Sequence, residues 1–318
     1  MKTTVKFRER SRKPERNLSR IMLIMLMMMC CYMNANAQKH NETISISGTS
    51  YTYPLIEKWI SEYSKYNPEV NFKLVKNPGK NEKIDLKIIT STQNQNEVKN
   101  TDSLVIVGEV ALLPITSKKN QGFSKQFKKG FKQQELKDIF LKKEEEVWEE
   151  DAPKNKITYT VYTKSPQSSS AQILSKYFGK PANNLKGVIV AGDDKYLINS
   201  VLKDSTGVAY NSLGLVYDLT NRLPVNGIKV LPIDLNNNGR LEKNEEIYDN
   251  LDQVISYLEN NPNKSIPTDV ISFVYAGSEN QEVGKFVNWV KNSGQNYNHL
   301  YGFLKNSNES LNVLTVQK

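Results

Sequence analysis

Short apolar runs of β character alternate with amphipathic stretches of helical period along most of this chain, and that alternation restricts its fold more than any other feature. In ISISGTSYTYPLIEKWISEYSKYNP, Ile44 to Ser47 alternates as a strand does. Gly-Thr-Ser turns, and Leu55, Ile56, Trp59, Ile60 and Tyr63 then share one helix face. VNFKLV, IDLKIIT and the long SLVIVGEVALLPIT read as further strands, QQELKDIFLKK as a short helix, and KITYTVYTK as a strand ending at a serine-rich turn. SAQILSKYFG is a helix that opens on that turn and stops at Gly179. The stretch from Gly187 to Asp218 reads strand, turn, helix, turn, strand; DVISFVYA is a strand, and helices follow from Asn280. Strands interleaved with helices predict an α/β sheet. No internal repeat is evident.

The first 37 residues predict a targeting signal. Lys2, Lys6, Arg8, Arg10, Arg12, Lys13, Arg16 and Arg20 form a basic region, Ile21 to Met33 is an apolar run, and Ala35 and Ala37 flank Asn36 as small residues before Gln38. This is the pattern of a secretory signal peptide cleaved near Ala37, and the apolar run is short for a permanent span. Cys30 and Cys31 also admit a lipoprotein reading, against which the preceding Met-Met-Met lacks the expected small residues. Residues 1–37 hold eight basic and two acidic residues, so their removal lowers the formal charge from +9 to +3. The remaining charge gives little support for nucleic-acid binding. Both cysteines leave with the signal, which excludes disulfides, thiolate metal sites and a cysteine nucleophile from the mature chain. His40 and His299 are its only histidines and neither has a triad-like neighbourhood. There is no Walker-type phosphate loop and no His-Glu zinc motif, and no enzymatic activity is expected. The charged run KKEEEVWEED reads as a solvated helix end or loop.

IDLNNNGRLEKNE, Ile233 to Glu245, matches the calcium-loop pattern D-x-[DN]-x-[DN]-G-x5-E. Asp234, Asn236 and Asn238 offer side-chain oxygens on alternate residues, Gly239 permits the sharp turn, and Arg240 offers its carbonyl. Glu242 is placed to reach the ion directly or through water, and Glu245 to close the shell with both oxygens. A β-leaning run, GIKVLPI, precedes the loop, and Ile247, Leu251, Val254, Ile255 and Leu258 follow at helical spacing. A single strand-loop-helix copy predicts a structural calcium staple rather than a paired sensor.

Two hydroxyl-rich turns, each opening a helix, suit an oxyanion, because helix N-termini carry unpaired N–H donors and the positive end of the dipole. One is GTSYTYP, with Thr49, Ser50, Thr52 and the Tyr53 amide. The other is KSPQSSSAQIL, with Ser168, Ser169 and Ser170 and with Lys164 just upstream.

Taken in order, these segments resemble the periplasmic phosphate-binding proteins of ABC phosphate transporters. ISGTSYTYPLIEKWISEYSKYNPEVNFKL resembles their opening strand, phosphate loop and first helix, and QQELKDIFLKK their short Leu-x-Asp-Ile-Phe helix. The stretch from Leu185 to Asp218 with VLPIDLNNNGRLEKNE resembles the subset that carries a calcium-type loop. The resemblance spans nearly all of residues 43–304. It implies a type II periplasmic-binding-protein fold with two α/β domains joined by hinge strands. Residues 43–112 and 208–318 would form domain I, with the calcium-type loop 234–245, and 113–207 domain II, crossing near Leu112–Ser117 and Gly207–Tyr210. It further implies a periplasmic or secreted monomer that binds inorganic phosphate or another oxyanion and hands it to an inner-membrane permease. Thr52 and Tyr53 match the first phosphate loop, Thr90 and Ser91 fall near a third contact, and Ser168 to Ser170 match a second turn. Lys164 stands where that family usually has arginine, so a point charge replaces a bidentate fork. The turn KNPGKNEK lacks serine, a serine replaces the close-packed glycine of the second turn, and no residue matches the acidic group that accepts a proton from bound phosphate. The competing expectation is a calcium-stapled secreted protein of the same fold with no tight small ligand, acting in adhesion or signalling.

Overall fold

The structure is a computed structural model that describes residues 43–79, 81–92, 98, 102–142, 159–261, 265–276 and 280–306. The signal segment with Cys30, Cys31 and Ala37, together with His40 and the charged run from 143 to 151, lies outside them.

One strand organises everything else. β4 (Asp102–Ser117) is a continuous run of sixteen residues, and every residue from Ile106 to Ser117 is buried. A strand buried on both faces must satisfy its backbone groups through neighbouring strands. β4 does so with different partners along its length. Its first part, Asp102 to Ala111, pairs antiparallel with β9 (Thr268–Ala276). Its second part, Leu112 to Thr116, pairs antiparallel with β7 (Gly207–Ser212), and Ile115 to Ser117 pairs on the other side with β8 (Ile228–Val230). Beyond β9 lie β3 (Leu86–Thr90), β1 (Thr43–Ser47) and β2 (Asn71–Leu74); beyond β7 lie β5 (Thr160–Thr163) and β6 (Val188–Ile189).

The pairing senses fix where strand ends fall. β1, β2 and β3 are mutually parallel, β3 is antiparallel to β9, and β9 is antiparallel to β4. β1 and β3 therefore run in the direction of β4 and end where it passes from one half of the sheet to the other. β7 is antiparallel to β4, and β5 and β6 are parallel to β7. They run back towards the same place. Carboxyl ends from both halves thus converge on the Ala111–Leu112 step of β4.

Helices α1 (Tyr53–Ser64), α4 (Ser169–Phe178) and α5 (Lys195–Lys203) begin at that junction, with α2 (Gln126–Lys129) and α3 (Gln133–Phe140) between β4 and β5. Helix α1 starts where Pro54 is tolerated in the first turn, and it buries Leu55, Ile56, Trp59 and Tyr63, as their spacing predicts. Trp59 is fully buried, and its indole N–H donates to the Gly294 carbonyl at 3.0 Å. Gly48 is needed in the turn between β1 and α1, since a Cβ there would meet Thr52 Oγ1 at 2.6 Å and Ile88 Cβ at 3.3 Å. Gly179 ends α4 in the left-handed region at φ 67°, as its position predicts.

The strand expected to run on towards Asp218 ends at Ser212, and a one-turn helix, α6 (Leu213–Val216), follows it directly. After β8 the chain enters the loop 234–245, then α7 (Leu251–Asn260), β9 and α8 (Gln281–Lys291). The loop entry is tied to the second half of the sheet: Ile233 bridges Phe131, and the Asp234 N–H donates to the Phe131 carbonyl at 3.0 Å. No helix among the described residues is long and apolar enough to cross a membrane.

Candidate functional site

In open α/β sheets, ligands bind outside the carboxyl ends of strands. Here four such ends meet: the Gly48–Thr52 turn after β1, Ser91 and Thr92 after β3, Lys164 to Ser168 after β5, and Gly192 to Asp194 after β6. They bring polar side chains from both halves of the sheet into one cleft.

Asp194 lies at its centre. Its side chain is buried at 7% exposure, and it is the N-cap residue of α5. The Ser50 hydroxyl, from the first half, donates to Oδ2 at 2.9 Å, and the Ser170 hydroxyl, from α4, donates to Oδ1 at 3.0 Å. The Asp194 N–H in turn donates to Ser50 Oγ at 3.3 Å, and Asn211 holds the Asp194 carbonyl at 2.9 Å. Burial raises the Asp194 carboxyl above the ordinary carboxylate range, and the two hydroxyls and the nearby Lys164 charge oppose that rise.

Lys164 is also 7% exposed, and its ammonium donates to the Gly192 carbonyl at 2.5 Å. Tyr51 is buried, and its hydroxyl donates to Ser169 Oγ at 3.1 Å, across the cleft. Burial pushes that phenol well above its usual range, and the charges of Asp194 and Asp269 add to the rise. On the β3 side, Asp269 at the start of β9 accepts from the Ser91 hydroxyl, from Thr92 N–H at 3.1 Å and from Thr92 Oγ1 at 3.2 Å. Lys176 on α4 reaches back to Ser91 Oγ at 3.1 Å and to Asp269 at 3.6 Å.

The residues expected from the sequence are placed as follows. Lys164, Ser169 and Ser170 are buried in the second half of the sheet, Ser169 and Ser170 bonded to Tyr51 and Asp194, and Ser91 is tied to α4 through Lys176. Thr52 is buried, with its hydroxyl donating to the Thr49 carbonyl at 2.7 Å, and the Tyr53 N–H closes the same turn on the Ser50 carbonyl. Thr90 is buried and lies 3.0 Å from the Thr92 hydroxyl. Ser168 is the N-cap of α4: its hydroxyl accepts from Ala171 N–H at 3.3 Å and donates to the Ser165 carbonyl at 2.8 Å. Sequence reasoning missed Asp194, Asp269 and Tyr51. The signals were present in the acidic pair Asp193-Asp194 just before a helix start, and in a lone Asp269 at the mouth of an apolar strand.

The loop 234–245 is folded on its own hydrogen bonds. Asp234 accepts from the N–H groups of Asn238 at 3.1 Å and Gly239 at 2.6 Å, and Gly239 adopts φ 85°. Glu245 accepts from Asn236 N–H at 3.0 Å and Glu242 N–H at 2.9 Å. Asn236 and Asn238 orient their oxygens on the amides of Asn238 and Arg240, and their NH2 groups on Glu242. Among the described residues no three Asp, Glu, His or Cys side chains are grouped closely enough to hold a metal ion. Asp234 and Glu245 are 3% and 2% exposed, and no lysine or arginine among the described residues is ion-paired with either. Each carboxylate is held by two backbone N–H groups, and the Lys132 ammonium lies beside Gly239. The loop's carboxylate, amide and carbonyl oxygens are of the kind that suits a hard divalent cation.

No protein-family model matches the chain, and no curated protein sequence is similar to it. Solved structures are similar in fold. An ABC-type phosphate transport receptor from Vibrio cholerae superposes with a TM-score of 0.56 at 13% identity, covering 83% of this chain and 100% of that one. A substrate-binding protein assigned to phosphate ABC transport, from Clostridium perfringens and solved with bound phosphate, gives 0.58 at 16% identity, over 84% and 100%. A cysteine-to-serine mutant of OxyR from Corynebacterium glutamicum, bound to hydrogen peroxide, gives 0.51 at 11% identity, over 92% and 81%. The chain has the type II periplasmic-binding-protein fold expected from its sequence.

Because both lone-pair and O–H roles of Ser168 are spent on the helix start, Ser168→Ala is expected to lower stability by about 1 kcal/mol in urea denaturation. A change within error, with lost ligand binding instead, would show that Ser168 acts on a ligand and not as a cap.

Proposed function

We propose that this protein is the solute receptor of an ABC-type transporter, acting outside the cytoplasm after cleavage near Ala37, and that it is a binding protein rather than an enzyme. Its ligand is a tetrahedral oxyanion, with phosphate the first candidate, delivered to a membrane permease. The observation that carries this reading is the convergence of three helix N-termini and of hydroxyls from both halves of the sheet on one cleft beside the buried Lys164. Helix N-termini supply N–H donors and positive potential without needing a full countercharge. The shared fold with a receptor solved with phosphate supports the same reading. In this account Ser50, Ser169, Ser170 and Lys164 hold the anion, with Ser91 and Lys176 at its edge. The two halves of the sheet act as lobes that hinge at the Ala111–Leu112 step, with β8 and the loop 234–245 moving with the second half, to which Ile233 is bridged at Phe131, and not with the first as the resemblance implied.

We also propose that the loop 234–245 holds one calcium ion as a structural staple. Asp234, Asn236, Asn238, the Arg240 carbonyl and Glu245 would be its ligands, and Glu242 would act through water. The ion would neutralise the two buried carboxylates and fix the connection from β8 to α7.

Titration calorimetry of the purified mature protein with phosphate, sulfate and molybdate tests the ligand. Phosphate is expected to give a saturable heat. Ser170→Ala should weaken it by about tenfold to a hundredfold, as a hydrogen bond to a charged acceptor contributes roughly 1.5–3 kcal/mol. No heat with any of the three anions at millimolar concentration, in wild type and in the Asp194 variants described below, would remove the transport reading in favour of a module without a small ligand.

Calcium is expected to raise the melting temperature and EDTA to lower it, since a ligand at a hundredfold excess over its Kd stabilises the folded state by about 2.7 kcal/mol. Glu245→Gln should abolish most of that shift. Identical melting curves with calcium and with chelator would contradict the staple.

A further inference from the structure

The cleft already holds an anion of its own. Two hydroxyls placed by the fold on opposite sides of the cleft, Ser50 and Ser170, both donate to the Asp194 carboxylate, at 2.9 Å and 3.0 Å. Ser50 belongs to the turn after β1 and Asp194 to the turn after β6, 144 residues later. This one carboxylate therefore does two things that a bound oxyanion does in a hinged receptor. It accepts from donors on both lobes, and it joins them. The joining is reinforced at Tyr51–Ser169 and at Lys176–Ser91, so three side-chain contacts link the two sides of the cleft around Asp194.

We propose that Asp194 is an internal ligand of the cleft: its carboxylate takes the place of an oxyanion between Ser50 and Ser170, latches the lobes together, and competes with the incoming anion for the same hydroxyls. The proposal rests on the oxyanion reading for its second half only; the latch itself needs no ligand. The charged and titratable groups facing Asp194 are Lys164 from the end of β5, Tyr51 from the turn before α1, and Asp193 on its own turn. Lys164 is the one cation among them, and its ammonium is turned to the Gly192 carbonyl. An arriving dianion would meet the Asp194 charge before it met a free donor. Entry therefore requires the Asp194 side chain to swing out and release Ser50 and Ser170. The apparent affinity is the intrinsic one reduced by the fraction of molecules with the latch open. Asp194 is thus a determinant of both affinity and closure.

The test uses the full mature chain with wild type, Asp194→Ala, Asp194→Asn and Ser50→Ala. Small-angle X-ray scattering without ligand reads the latch. Asp194→Ala and Ser50→Ala are expected to increase the radius of gyration relative to wild type. Phosphate calorimetry reads the competition. Asp194→Ala and Asp194→Asn are expected to bind phosphate roughly tenfold more tightly than wild type, or more, as the competent fraction rises. Ser50→Ala, which loses a donor as well as a latch arm, is expected to bind phosphate more weakly than either Asp194 variant. If Asp194→Ala misfolds, Ser50→Ala carries the scattering arm and Asp194→Asn the binding arm. Unchanged scattering in the variants overturns the latch. Phosphate affinity that is equal or weaker in both Asp194 variants, while wild type binds, overturns the competition and makes Asp194 a positioning residue. Opened variants with no anion binding in any protein keep the latch and remove the oxyanion reading instead.

Discussion

The structure depends on β4 being paired along its whole length to two different sets of strands. Its residues are buried from Ile106 onwards, so their backbone N–H and C=O groups must find partners within the protein, which the sheet supplies except at the bulge, where Gln295 and Asn298 donate to the Val107 carbonyl. β9 supplies partners as far as Ala111, and β7 and β8 supply them beyond. This division makes the Ala111–Leu112 step the meeting point of the two halves. The pairing senses then turn the carboxyl ends of β1 and β3 and those of β5 and β6 towards it. The cleft is a consequence of that topology. Residues far apart in the chain become neighbours because strand direction leaves them nowhere else to go.

The electrostatics of the cleft follow from the same convergence. Three helices begin there, so positive dipole ends gather in one place, and Lys164 and Asp194 are buried in the turns that precede two of them. Asp194 and Asp269 answer that field from within the chain. Each takes hydroxyls that would otherwise be free to hold an anion, Ser50 and Ser170 in one case and Ser91 with Thr92 in the other. The opposite situation holds in the loop 234–245. There Asp234 and Glu245 are buried against backbone amides with no lysine or arginine paired to either among the described residues, and the proposed calcium ion would be their complement.

Much of this was legible in the chain. Apolar alternation located β1, β3, β4 and β9, the spacing of Leu55, Ile56, Trp59 and Tyr63 located α1, and the serine turn with Gly179 bounded α4. Lys164, Ser169 and Ser170 are expected ligand residues, and their side chains bond to Gly192, Tyr51 and Asp194. Thr52 and Ser168 were nominated too, but the turn and the helix cap use their hydroxyls, because Ser and Thr bond to nearby backbone more readily than they wait for a ligand. Asp194 and Asp269 were not legible. Their partners lie 144 and 178 residues away, and no local pattern records a contact made by strand order. The short α6 was missed for a related reason, since Leu213 to Val216 is a single turn held by its position after β7 and not by period.

A crystal structure of the mature protein grown with phosphate and calcium tests the central claim most directly, that one cleft at the β4 junction binds an oxyanion against its own carboxylate. The account predicts phosphate between Ser50, Ser170 and Lys164, with the Asp194 side chain rotated away from both serines. A phosphate-free cleft in which Asp194 still accepts from Ser50 and Ser170, with phosphate elsewhere on the surface, would contradict it.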